Sequence, residues 1–152
     1  MPYTLEALVG RKGINQGIVS RFSSAKLVSL KQDVWLIPLT ALFQNELSQV
    51  NEIEKIERLA ELQSASSGVI WLAQQLSKND RVAYLEAEFF GGTGGQTSAG
   101  WYGQELLFRP RQAIDAINQA LHWLGVLRDN EHDEFNMIGL EQHRKTEDWA
   151  QQ

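Results

Sequence analysis

The chain has 152 residues, 43% apolar and 22% charged, with a formal net charge of -5 and no cysteine. That length and composition fit one globular domain able to bury its own core, and exclude global disorder. The missing cysteines exclude disulfide frameworks, thiolate metal sites and cysteine nucleophiles, while the negative charge argues against nucleic acid as a partner, since the basic pairs Arg11–Lys12 and Arg109/Arg111 are few and far apart.

The first residues, MPYTLEALVGRKG, carry no apolar run behind a basic start, so no signal peptide is expected. No stretch approaches the ~18 apolar residues of a membrane helix. The expectation is a soluble, cytoplasmic protein with no membrane partner. Tyr3 to Val9 reads as a short strand. Gly13 to Phe22 reads as a short helix with Ile14, Ile18 and Phe22 four apart, weakened by Gly17. Ala25 to Leu30 and Val34 to Leu39 are β-rich runs around Lys31-Gln32-Asp33, a hairpin signal, with Pro38 marking a strand end or an edge.

Thr40 is a candidate N-cap for a helix. From there to Gln63, Phe43, Leu47, Val50, Ile53, Ile56 and Ala60 recur at helical steps, in one helix or in two broken near Gln49, with Glu54 and Arg58 as a favourable four-apart pair. SASSG, Ser64 to Gly68, breaks the pattern and caps a second helix with Val69, Ile70, Ala73 and Leu76 inward. Arg81 to Phe90 alternates as a strand. Thr97 to Tyr102 and Glu105 to Phe108 are two more, turning at Gly103-Gln104. Pro110 is placed near the start of a last helix, whose stripe is Ala113, Ile114, Ile117, Leu121 and Leu124 and whose end is Gly125.

The predicted architecture is α+β, a mostly antiparallel sheet of about five or six strands with helices packed on one face. Residues 1–127 form the single domain. Residues 128–152 form a polar C-terminal tail, partly docked through Phe135, Met137, Ile138 and Leu140.

The stretch EFFGGTGGQTSAGW, from Glu88 to Trp101, is the most unusual in the chain. It is no P-loop: Gln96 stands where the lysine belongs, Phe90 where the first glycine belongs, and strand rather than helix follows. It is no dinucleotide fingerprint either, because Thr97 occupies the last position counted from Gly92. The expected role of Gly91, Gly92, Thr93, Gly94, Gly95 and Gln96 is a flexible strand connection that keeps one end of the sheet open to approach. Glu86 and Glu88 fall on one face of their strand beside Tyr84. Paired acids there fit acid/base chemistry or a hard cation, but the preferred reading is an ordinary solvated sheet face.

His122, His132 and His143 show no metal-ligand spacing, G-x-S-x-G is absent, and Ser98 is a poor nucleophile, so neither a metal nor a cofactor is expected. Of five tryptophans, Trp123 lies off the stripe of its helix. It is either an exposed binding anchor or, the preferred reading, is covered by Phe135 and Leu140 of the tail. Trp149 either docks the tail or stays loose. Small size, acidity, no cysteine and α+β order together resemble bacterial immunity and antitoxin proteins in type. That resemblance implies a module that binds a protein such as a basic toxin. The residues expected to make the contact are Tyr84, Glu86, Glu88, Gly91, Gly92, Thr93, Gly94, Gly95, Gln96 and Trp123. The alternatives are a small-ligand protein or enzyme using the same groove, and a subunit of an assembly, homo-oligomers included, joined through Trp123 or the sheet edge.

Overall fold

Residues 2–11, 13–56, 62, 64–91 and 93–151 are described in the computed structural model, with the side chains of Glu54 and Lys55 excepted. Six strands form one antiparallel sheet: β1 (Tyr3–Arg11), β2 (Val28–Ser29), β3 (Val34–Pro38), β4 (Val82–Phe90), β5 (Thr93–Tyr102) and β6 (Glu105–Ala113). Their spatial order is β2-β3-β1-β4-β5-β6. The described helices are α1 (Gln16–Val19), α2 (Ala41–Leu47), α3 (Ser67–Leu76), α4 (Ala116–Leu124), α5 (Glu134–Met137) and α6 (Thr146–Trp149), with 3-10 turns at Lys31–Asp33, Asn51–Lys55 and Leu140–Gln142. The α+β class and the antiparallel sheet are those read from the sequence. No described helix is long and apolar enough to cross a membrane.

The helices do not keep to one face, and this corrects the expected layering. Along β1, Leu5, Ala7 and Val9 point into one apolar cluster while Leu8 points into another. Along β4, Ala83, Leu85 and Ala87 join the first of these and Val82 and Tyr84 the second. Strands apolar on both sides need cover on both sides. On the Tyr84 face the cover is Val19 and Phe22, Phe43 and Leu47 of α2, and the run from Val69 to Ala73 with Leu76 of α3. On the opposite face it is Ile117, Ala120, Leu121 and Leu124 of α4 together with Ile138, Leu140 and Trp149. The chain beyond residue 127 thus supplies part of a core cluster.

Side-chain caps set where several helices begin. The Thr40 hydroxyl accepts from the Phe43 N–H and the Ser66 hydroxyl from the Val69 N–H, each satisfying an N–H that the first turn leaves without a helical partner. Gly125 closes α4 in the left-handed region at φ 96°. Other boundaries differ from expectation. The helix read over Gly13 to Phe22 shrinks to α1, with Gly17 inside it, and the strand read over Ala25 to Leu30 shrinks to β2. The pattern after Thr40 breaks once α2 ends at Leu47, then resumes as the 3-10 turn Asn51–Lys55. The Ala60 position and the Glu54–Arg58 pair lie outside the described residues.

Pro110 does not open the last helix. It lies within β6, the outermost strand, where a missing N–H breaks no ladder if it faces outward. Ala113 accordingly ends β6, Ile114 is 85% exposed, and α4 begins at Ala116.

Candidate functional site

The glycine stretch belongs mostly to the sheet, a correction to its reading as a flexible connection. Phe90 pairs with Thr93, so the β4–β5 ladder runs out to those two residues. Gly91 has φ 59°, and Gly92 lies outside the described residues. Gly94 pairs with Phe89 and Gly95 with Glu88 as ladder residues. Gly94 has φ 151°, and a Cβ there would collide with the Glu88 carbonyl, so only glycine fits. A Cβ on Gly95 would instead meet nothing within 4 Å. The sheet is therefore bare beside Glu88.

That bare ground belongs to a groove of about 700 Å³. Glu86, Glu88 and Phe90 of β4, Thr97 of β5, and Gln112 and Ile114 at the end of β6 enclose it. Thr93, Gly94, Gly95 and Gln96 line it too. The two acids share a face because they stand two apart on a strand, and Thr97 faces Glu86 directly across the ladder. Phe90 is 53% exposed, so it and Ile114 give the acidic groove an apolar rim.

Beside the groove, on the same face of the sheet, lies a cluster that local sequence pattern does not assemble. The β1–β4 register sets Glu6 directly opposite Glu86, an arrangement of like charges that destabilises a sheet unless something intervenes. The buried Tyr84 intervenes. Its hydroxyl oxygen is 2.6 Å from Glu6 Oε2 and 2.7 Å from Glu86 Oε1. Gln44 of α2 donates to Glu6 Oε1 at 2.9 Å and also to the Leu39 carbonyl, and Ser64 donates to Glu86 Oε2 at 3.3 Å.

Burial pushes the Glu6 carboxyl above its ordinary value. The hydrogen bonds from Tyr84 and Gln44 oppose that rise, and the Glu86 charge adds to it. Burial, and after it the charges of Glu6 and Glu86, push the Tyr84 phenol far up, so it stays a neutral hydroxyl across the physiological range. The signal for Glu6 was present in the predicted strand Tyr3 to Val9, whose alternation places it on the Leu8 face. What the sequence lacked was the register that brings it to Glu86.

The remaining candidates are dispersed. Gln96 also turns its amide oxygen to the Ile117 N–H at the start of α4, at 2.9 Å. Trp123 sits on the opposite face of the sheet and does not join the groove. Phe108 packs on it at 5.7 Å between centroids, the Arg81 guanidinium lies 5.0 Å from its ring, and a Cβ on Gly100 would come within 2.5 Å of its Cζ3. The cover over Trp123 is thus β6, while Phe135 packs on Tyr3 at 5.5 Å and the Leu140 carbonyl accepts from the Tyr3 hydroxyl. Trp123 lines a separate cavity of about 640 Å³ with Arg111, His122 and Glu134.

Ser98 is buried, its hydroxyl spent on the Ala116 carbonyl at 2.8 Å. The His122 side chain is 80% exposed, His132 pairs with Asp129 at 3.1 Å, and His143 packs edge-on against Trp149. Among the described residues no three His, Asp or Glu side chains are grouped to hold a metal. Of the sequence-derived candidates, the structure brings together Glu86, Glu88 and the strand from Thr93 to Gln96, with Tyr84 beside Glu86 on the same strand. Comparison with known protein families, with characterised proteins and with solved structures finds no match.

Proposed function

We propose that the chain is a small protein-binding module, cytoplasmic and bacterial in type, that receives a basic segment of a partner protein in the groove over β4 and β5. An immunity-like protein capping the basic active site of a toxin is one such case. The observation that carries this reading is the pairing of Glu86 and Glu88 on the groove floor with exposed Phe90 and Ile114 at its rim. Carboxylates meet a lysine or arginine head, and the rim takes the apolar stem of such a side chain or its neighbours. The net charge of -5 adds a longer-range attraction for a basic partner. Bare Gly95 lets a partner backbone come close.

The test is native mass spectrometry of the untagged protein from its own host, followed by Glu86→Lys with Glu88→Lys. The expected result is a co-purifying protein whose affinity for the double variant falls at least ~10-fold, the scale of losing one desolvated charge pair, and whose salt dependence flattens. Unchanged partner affinity removes these acids from the interface. The size of the groove favours a second reading, a small cationic ligand, because about 700 Å³ falls in the range of small-molecule sites. A bound small mass on a monomer decides for it.

A further inference from the structure

The hydrogen bonds of the Tyr84 cluster do not balance with both acids ionised. A phenol carries one proton, and an ionised carboxylate only accepts. Two approaches of 2.6 and 2.7 Å from one hydroxyl oxygen to two carboxylates therefore need a second proton. Glu6 is the acid to carry it. It does not line the groove and burial opposes its charge, a pull that the Gln44 donation to its Oε1 only partly offsets. Glu86 faces the groove.

We infer that the Glu6–Tyr84–Glu86 cluster stores one proton and releases it when a guanidinium or ammonium group enters the groove, so that the site takes up a cation in exchange for a proton. This rests on the groove reading above. In the loaded state Glu6 donates to Tyr84 and Tyr84 donates to Glu86, which leaves one negative charge at the groove. When a cation arrives, the chain of donors reverses. The Tyr84 proton passes to Glu86 and on to solvent, the Glu6 proton passes to Tyr84, and Tyr84 ends by donating to Glu6. Only O–H bonds are made and broken, and the Glu86 oxygen that accepted from Tyr84 is left free to meet the cation.

The surroundings suit such an exchange. Burial opposes charge on Glu6, and the Glu86 carboxylate opposes it further. The groups facing Glu6 and Glu86 are Tyr84 on their own sheet, Gln44 from α2, Ser64 from the start of the α3 segment and Thr146 from α6. Glu147 of α6 is turned to the Ala41 N–H at 3.3 Å, and Glu88 lies one step along the groove. Among the described residues no lysine, arginine or histidine forms an ion pair with Glu6, Glu86 or Glu88, so the cation must come from outside them.

The test uses the full chain with labelled glutamate carboxyl carbons and butylguanidinium, an arginine head on an apolar tail, as the probe. In the free protein the Glu6 carboxyl is expected to titrate above the ~4.3 of an ordinary glutamate. Butylguanidinium should shift the Glu86 and Glu88 carbons and bind ~3- to 10-fold tighter at pH 8 than at pH 5, one proton being exchanged. Glu6→Gln copies the protonated acid, with its amide donating to Tyr84 and its oxygen accepting from Gln44. It should bind the probe with the affinity of the loaded state and with that pH dependence lost. An ordinary Glu6 titration, or the same pH dependence in Glu6→Gln, overturns the proton exchange and leaves the groove reading intact. No response of Glu86 or Glu88 to the probe at any pH overturns both.

Discussion

Tyr84→Phe removes one oxygen from the protein and tests the cluster beside the groove. The hydroxyl bridges Glu6 and Glu86 through two short hydrogen bonds, and without it the two acids face each other across adjacent strands. A hydrogen bond to a charged group contributes about 1.5–3 kcal/mol, and a neutral one nearer ~1 kcal/mol. At pH 5, where Glu6 holds the second proton and both bonds are made, loss of the whole bridge is expected to destabilise by about 2–4 kcal/mol. For a chain of this size that corresponds to a fall in Tm on the order of 5–15 °C. Urea unfolding followed by tryptophan emission measures this. A loss below ~0.5 kcal/mol at pH 5 refutes the reasoning.

Gly100→Ala sets a methyl 2.5 Å from Trp123 Cζ3 and 2.9 Å from Phe108 Cβ, so overpacking should cost about 1–3 kcal/mol in chemical denaturation and shift the Trp123 emission. Gly95→Ala, whose Cβ meets nothing within 4 Å, should unfold within ~0.5 kcal/mol of the parent and serves as the control on the same strand. Trp149, 1% exposed, completes the cluster under α4; Trp149→Ala should cost about 3–5 kcal/mol, and a melting curve unchanged by it would show that the C-terminal segment folds independently of the rest.

The parts legible in the sequence were those governed by local chemistry. Thr40, Ser66 and Gly125 stop or start helices with their own atoms, and the alternation of Arg81 to Phe90 is a property of that segment alone. Pro110 misled because the same missing N–H suits a helix start and an outermost strand, and only the position of β6 in the sheet decides between them. The two-sided cover was hidden because tyrosine and valine on the second face of β4 read as the mixed surface of a half-exposed strand. Glu86 and Glu88 were visible as a pair for the opposite reason, two residues being the period of a strand. Glu6 was not, since it comes from a segment distant in sequence and meets Glu86 only through the β1–β4 register. Trp123 packs against the same cluster as its helix stripe, and its neighbour Phe108 arrives from another strand, which no local pattern announces.

The two outer strands carry a consequence for how this molecule meets its own kind. An unpaired strand edge is an invitation to another sheet, because its free N–H and C=O groups template a new neighbour. Here one margin is β2, only two residues long. The other is β6, interrupted by Pro110 between Arg109 and Arg111, so its row of donors is broken and two positive charges flank the break. Brevity guards one side, and proline with like charges guards the other. Both margins of the sheet are thus poor templates for strand addition, which leaves the open, glycine-lined groove as the more inviting surface of the sheet.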